Sequence, residues 1–457
     1  MTAVPTLSPA QSAMTASPAP PAVKPAPASA GLLNDWLRTQ SPGWQPWDIG
    51  GQVRARYEVF DGGSPLAPNA DFQKTGVDND TSFLLTREKF HLGYTAKWFA
   101  VYGELRNSNV NGDDTPPLQG EDSFDLQQAY VALGNAKSFP VTAKVGRQEL
   151  AYGDERLIGP SDWSNTGRVF DAAKLRYEDK QVWVDVFGGR VVVPEDGSFN
   201  EADFNDWFSG IYASSKTLVP IQESQLYFLS RNVAEGTSPR DIYSIGARVK
   251  SLAGKLQGWD YTGEVVKQFG NIVQSGVRRD QDAWATSVGG GYTWANAFAT
   301  PRLGLEYSFS SGDQDPTDGK SQTLDNLFPT NHKHYGTMDF FSWRNMHDPR
   351  ISLTLKPHKK LTCSLDFHAF WLASTEDYFY PQGGGGRKSL GYGLHPGYDG
   401  FVGSELDLEL NYAVATWAVL RGGYGHFFPG SYVDSSKASR GGTTSADWLY
   451  VQATLSF

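Results

Sequence analysis

The sequence holds one cysteine, Cys363, and no apolar run of about eighteen residues. A single thiol builds no intrachain disulfide framework. Without such a run, no helix of the chain crosses a membrane. Positive charge is the scarcer sign. Lys and Arg number 40 against 50 Asp and Glu, and the formal net charge of -10 argues against a nucleic-acid binder. Residues 1–30 carry one charged side chain, Lys24, among Ala, Pro, Ser and Thr. No basic region followed by an apolar stretch is visible there, so no signal peptide shows. That composition predicts a disordered, polyproline-prone tail over 1–30. The G-x-S-x-G, Walker A, H-E-x-x-H and dinucleotide fingerprints are all missing, so we expect neither an enzyme nor a bound cofactor.

What is present is alternation. Leu449, Val451, Ala453, Leu455 and Phe457 alternate with Tyr450, Gln452, Thr454 and Ser456. An apolar residue at every second position to a terminal Phe is the pattern of a strand with one face in lipid and one in water. Only alternate residues of such a strand meet lipid, so a mean hydropathy of -0.43 is compatible with a membrane barrel. From Gly51 onward there are about eighteen such segments, most of them about ten residues long, the length a tilted strand needs. Leu303, Leu305, Tyr307 and Phe309 alternate with Arg302, Gly304, Glu306 and Ser308. Leu406, Leu408, Leu410 and Tyr412 alternate with Glu405, Asp407, Glu409 and Asn411. Cys363 falls on an apolar face with Leu361, Leu365 and Phe367, as a small buried or lipid-facing residue.

The connections alternate too. Short ones fall at 95–98, 134–140, 179–180, 295–300, 357–360 and 413–414, and long ones at 61–83, 109–122, 150–169, 191–205, 311–348, 372–400 and 425–446. Transmembrane barrels have short periplasmic turns and long extracellular loops, and an even strand count leaves both termini on the short-turn side. The expected architecture is an all-β transmembrane antiparallel barrel over 51–457, with 31–50 as a periplasmic lead-in. That places the chain in the cell outer membrane. An outer-membrane protein needs a signal peptide. Its absence means either that the numbering begins after or within the precursor, or that a soluble secreted carbohydrate-binding β protein or lyase is the better account.

The stretch Lys144–Tyr177 contains Gly146-Arg147-Gln148-Glu149-Leu150, Asp154-Glu155-Arg156 and Gly167-Arg168-Val169-Phe170-Asp171. It resembles the alginate-export family of outer-membrane porins, as do Gly403–Leu408 and Gly422–Gly430. The resemblance covers about 50–457. It implies an eighteen-stranded monomeric barrel and an arginine-rich lumen that passes an anionic uronate polymer. A periplasmic export scaffold is a further partner of such a pore. By the family motif, Arg147, Arg156, Arg168 and Asp171 are candidate site residues.

Parity along the strands gives the lumen. Arg54, Arg56, Arg87, Lys89, Arg106, Lys144, Lys174 and Arg176 point inward from the first six strands, with Glu58, Glu104 and Glu178 interleaved. Asp260, Glu264, Glu306, Asp366, Glu405, Asp407 and Glu409 make the opposite wall acidic. Arg suits carboxylate ligands because its planar fork binds them through two bonds and stays protonated. The expectation is a transverse field selecting anionic polysaccharide or small charged solutes. The bland alternative is a lumen filled with stabilising salt bridges. Arg147 shares parity with Val141, Ala143 and Val145, which should face lipid, unless Gly146 marks a bulge that re-aims it.

Three weaker signals remain. Asp313, Asp315 and Asp318 lie in a Gly-bounded loop that has one residue too many for an EF-hand, so a solvated turn is preferred to a calcium site. His332 and His334 flank Lys333 in the same loop and are expected to be free. Glu405 and Asp407 are a conceivable glycosidase pair, but lumen lining accounts for them more simply. A general or nutrient-uptake porin on the same barrel is the main rival. An inward-folded loop with a narrow basic eyelet would favour selectivity.

Overall fold

A residue whose side chain meets lipid must alternate with one that does not, and the backbone must pair along its whole length. The computed structural model describes residues 31–457 apart from 65–71, 73, 77–78, 113–119, 237, 389–391 and 438–440. The expected tail at 1–30 lies outside the described residues. Helix α1 (Leu32–Gln40) precedes the strands Trp47–Asp61 (β1), Thr81–Thr95 (β2), Phe99–Asn111 (β3), Asp122–Leu133 (β4), Val141–Gln148 (β5) and Phe170–Glu178 (β6). Next come Trp183–Val193 (β7), Glu201–Ser215 (β8), Gln222–Val233 (β9), Arg240–Ser251 (β10), Trp259–Gln274 (β11), Val277–Thr293 (β12) and Arg302–Ser310 (β13). The two-residue β14 (Lys320–Ser321) lies in a long connection. It is followed by Met346–His358 (β15), Leu361–Trp371 (β16), Phe401–Ala415 (β17), Ala418–Pro429 (β18), helix α2 (Ser431–Lys437) and Ala446–Ser456 (β19).

Every strand but β14 pairs antiparallel with its neighbours, β13 with β15, and β1 closes the ring on β19 with Val53 opposite Leu455. The result is a closed eighteen-stranded antiparallel barrel, as the alternation predicted. β14 runs parallel to β12, with Asp280 opposite Lys320. Leu92, Ile245, Leu305, Leu408 and Val451 are exposed on the outer face, and Arg54, Arg87, Ser308, Asp407 and Gln452 are buried on the inner one. Cys363 lies on the outer register with the exposed Leu365 and Phe367.

The strands depart from the predicted segments mainly at the long-loop end. β12 begins at Val277, where Val277-Arg278-Arg279-Asp280-Gln281 shows no apolar alternation, yet it pairs residue by residue with Gly270–Gln274 of β11. Beyond the hydrocarbon, pairing continues but nothing requires an apolar outer face, so the sequence signal fades. β1 starts at Trp47 rather than 51. Its first residues extend past the end of β19, and Asn34 of α1 accepts the Ile49 amide at 2.8 Å there. The lead-in thereby covers an exposed strand edge.

Candidate functional site

Two of the long connections turn into the barrel instead of away from it. The first joins β5 to β6 and the second joins β13 to β15. Within them Leu150, Tyr152, Leu157, Ile158, Leu324, Tyr335, Met338, Phe340, Phe341 and Trp343 are all buried, packed with inner-face residues such as Phe83, Phe208, Phe370 and Phe427. The long-loop half of the interior is therefore an apolar core, and the polar lumen lies towards the short turns.

The loops pair with each other. Ile158 and Phe328 form a parallel bridge, Gly159 N donates to Phe328 O at 2.8 Å, and Phe328 N donates to Leu157 O at 2.9 Å. Lys333 meets Glu155 at 2.5 Å, and Arg168 donates to Gly159 O at 3.0 Å and Pro329 O at 2.7 Å. Burial and the neighbouring Arg231 hold Arg168 down at about 10. His332 lies flat on Trp163 with ring centroids 3.8 Å apart. Arg56 covers that indole ring at 3.6 Å to the centroid.

The basic wall holds the first loop. Arg54 donates to Asp162 O at 2.8 Å and Ser164 O at 3.1 Å; Arg56 to Trp163 O at 2.8 Å; Arg87 to Asp162 O at 3.1 Å; and Arg106 to Thr166 O. A loop that dips away from the sheet leaves its carbonyls without ladder partners, and four guanidiniums supply donors. The other end of the loop reaches the far wall. Asp154 pairs with Arg248 at 2.6 Å and Lys250 at 3.2 Å, and Arg156 pairs with Glu306 at 2.7 Å. Burial pushes the Asp154 carboxyl up, but these two cations outweigh it and hold it well below the usual carboxylate range. The loop is a crossbar spanning the lumen.

The acidic wall holds the second loop in the complementary way. Glu405 accepts the Met338 amide at 2.8 Å, and Asp407 accepts the Thr337 amide at 3.3 Å and its hydroxyl. Gly336 sits at φ +82°, and a Cβ there would lie 2.5 Å from Glu405 Oε1, so the close approach requires glycine. Asp325, on the same loop, pairs with Arg240 at 2.7 Å and Arg231 at 3.3 Å.

The remaining predicted residues are distributed as follows. Lys89 lies 3.6 Å from Glu104 and 4.0 Å from Asp162. Arg176 grips Asp185 through two bonds, of 2.5 and 2.8 Å, beside Glu178 at 3.8 Å. Lys144 and Lys174 face each other across β5 and β6. Glu264 and Glu409 accept from Tyr227 at 2.8 Å and Tyr450 at 3.0 Å.

Several expectations change. The far wall is not uniformly acidic, because Arg302 binds Asp260 at 2.5 and 2.7 Å and Arg350 binds Asp366 at 2.9 Å. Arg248, Arg302 and Arg350 have inward parity and were legible from the same alternation. Arg147 and Asp171 are not pore-lining. They bind each other at 2.8 and 3.0 Å on the outer register with Val145 and Ala173, and Arg147 also donates to Asn200 O at 2.9 Å. Gly146 does adopt φ +124°, but Arg147 stays outward, because at the strand end the connection between β7 and β8 covers it and lipid does not. His332 bonds Asp339 at 3.1 Å, and His334 bonds Asp154 O at 2.8 Å, so neither is free. Burial, with Arg156 nearby, pushes His334 down to about 3. The three loop aspartates do not converge. Asp315 accepts from Thr317, Asp318 from the Lys320 amide, and Asp313 faces Arg279 at 3.8 Å. Among the described residues no group of acidic, His or Cys side chains is arranged to hold a metal. Sequence reasoning missed Asp162, Trp163 and Asn165, whose loop has no periodicity to read.

A model of the alginate export family matches residues 45–446. The chain belongs to the alginate export family. Among solved structures it is similar to Acinetobacter baumannii OccAB1, at TM-score 0.59 and 11% identity over 90% of this chain and 97% of that one. It is also similar to Pseudomonas aeruginosa OccD3 (OpdP), at TM-score 0.57 and 13% identity over 90% and 91%. Pseudomonas aeruginosa OccK11 (OpdR) gives TM-score 0.54 and 13% identity over 90% and 96%. A search of curated proteins finds no match. This alginate export family member is an outer-membrane porin barrel, with lipid around its outer face. Its short turns are periplasmic and its long loops extracellular.

Proposed function

We propose that the barrel is a selective, passive conduit for carboxylated sugars, an anionic polysaccharide of the alginate kind or its fragments. The observation that carries this is the pair Lys144 and Lys174. They stand directly opposite each other on the inner face, and like charges in that position destabilise a sheet. Lys144 lies over the Tyr130 ring at 3.6 Å, and Lys174 comes only within 3.8 Å of Asp185, whose oxygens already bind Arg176 and Tyr152. A passing carboxylate would relieve that repulsion. Tyr152 of the crossbar bonds Asp185 at 2.8 Å beside Lys174, and the low-dielectric surroundings there focus the field of the two lysines. The arginines of β1 to β3 are occupied by the crossbar, so the lysine pair is the better candidate for contact with solute. Closure of the ring by β1 and β19 of one chain means that a single chain makes a whole pore.

Uptake of small carboxylated solutes is the second reading. It is favoured by the apolar core in the extracellular half, which a polymer could cross only if the inward loops moved. Planar-bilayer recordings separate the readings. With Lys144→Ala and Lys174→Ala together, the reversal potential should move towards cations and block by a uronate oligomer should weaken. In 1 M salt, where screening acts over roughly 3 Å, the wild-type should behave like the mutant. Glu409→Ala should move preference the other way. An unchanged reversal potential and unchanged block in the double variant would make the chain a general porin.

A further inference from the structure

Four residues lie side by side across the outer face of β5 to β8. Arg147 is opposite Asp171, Asp171 opposite Arg190, and Arg190 opposite Trp207. Arg147, Asp171 and Arg190 lie near the extracellular ends of β5, β6 and β7, and Trp207, further along β8, is level with Arg190; the row follows the register of the exposed Val145, Leu175 and Val186. Arg147 occupies both oxygens of Asp171. Arg190 is left with a carbonyl contact, to Phe204 O at 3.4 Å, and no carboxylate among the described residues within ion-pair distance. The nearby Asp203 and Asp196 are turned to other donors, the Asn205 amide at 2.9 Å and Ser123.

The guanidinium of Arg190 stands over two outward rings, Trp207 at 5.1 Å and Phe204 at 5.2 Å. Phe204 is 72% exposed. It is pushed out because residues 203–206 of β8 lie opposite Val191 alone, a local irregularity in the β7–β8 pairing. An outward Arg with free donors, set among bare aromatic rings, is costly against hydrocarbon at mid-bilayer but costs little at the interface. The rings themselves favour that level.

We propose that this patch binds a phosphate-bearing lipid of the outer leaflet, with Arg190 on the phosphate and Phe204 and Trp207 against the lipid body. The chemistry matches on both counts. A guanidinium fork with free donors wants an anion with several acceptors, and the patch is continuous with the lipid-facing belt. A second copy of the chain is the poorer occupant, because the one carboxylate in this row is already taken by Arg147.

Native mass spectrometry of the full chain, refolded without lipopolysaccharide and incubated with bis-phosphorylated lipid A, tests the proposal. The wild-type should retain a lipid A adduct, and dephosphorylated lipid A should not be retained. Arg190→Gln should lower the bound fraction about tenfold, the factor expected for losing one bond to a charged group. Arg190→Lys should fall between, since it keeps the charge and loses the fork. If Arg190→Gln gives no heat-modifiable barrel, Phe204→Ser carries the test, because its exposed ring supports no core, and it too should lose adduct. Equal retention by wild-type and variants, or indifference to dephosphorylation, overturns the proposal. So does full displacement by excess inorganic phosphate, which marks an ion site only, or a dimer that Arg190→Gln abolishes, which marks an interface between copies.

Discussion

Replacing Arg56 with Ala should release the crossbar while leaving the barrel closed. Arg56 is 2% exposed and does three things: it donates to Trp163 O at 2.8 Å, covers the Trp163 ring at 3.6 Å, and pairs with Glu58 at 2.7 Å. The first two hold the loop. A hydrogen bond from a charged donor contributes about 1.5–3 kcal/mol. A desolvated cation–π contact contributes about 2 kcal/mol. Water admitted by the truncation recovers part of this, so a docking loss of about 3 kcal/mol is the expected size. That shifts the ratio of docked to released loop by roughly a hundredfold. Glu58 keeps one partner, the Trp448 indole N–H at 3.0 Å, and the strand ladder on either side is untouched. Single-channel recording is the assay. Transient high-conductance events should become about a hundred times more frequent in Arg56→Ala. Arg56→Lys, which keeps the charge but neither the fork nor the stack, should be intermediate. A heat-modifiability gel confirms that the barrel has assembled. Folded Arg56→Ala with wild-type event frequency would show that Arg56 does not hold the loop, and the crossbar account would fail.

Other outcomes follow from the same geometry. Leu92→Arg or Leu408→Arg should impair assembly far more than Glu409→Ala, because Leu92 and Leu408 face lipid, where a mid-bilayer cation costs about 2–4 kcal/mol; equal heat-modifiability of all three would refute the face assignment. Burial and the neighbouring Asp377 push the Asp313 carboxyl up to about 6, above the ordinary carboxylate range. A raised carboxyl contributes stability that is full below its unfolded value and is lost as pH rises through the folded one. Asp313→Asn should therefore melt like wild-type below about pH 4 and higher than wild-type above about pH 6, by about 1–3 kcal/mol; coincident melting curves at neutral pH would remove the charge from the account.

The candidate site was half legible. Parity put Arg54, Arg56, Arg87, Arg106, Glu405 and Asp407 on the inner face, where they are. It also gathered the cations of β1 to β3 on one wall. The purpose assigned to that segregation was a field across open water. In the fold, the cationic wall meets the carbonyls of one loop and the acidic wall the amides of the other. Arg54, Arg56, Arg87 and Arg106, and on the far wall Glu306, Glu405 and Asp407, hold the loops, whereas Asp260, Glu264, Asp366 and Glu409 bind partners on the barrel wall itself. Arg147 failed for a different reason. Its parity said outward and its family motif suggested function, and the parity was right.

The alternation determined the membrane-crossing part of the strands and their two faces, because lipid enforces its demand residue by residue and a one-residue slip would turn every charged side chain outward. The alternating connection lengths determined which end was which. Only the tertiary structure decided what fills the barrel. Arg54 reaches Ser164, Arg156 reaches Tyr335, and Glu405 reaches Met338 across separations of 110, 179 and 67 residues. The groups accepting or donating at the loop end are mostly backbone carbonyls and amides, which almost every residue carries. No composition or spacing marks a carbonyl that will be left without a ladder partner. That is settled by where the loop turns, and the loop turns inward because its buried aromatic residues find a core there.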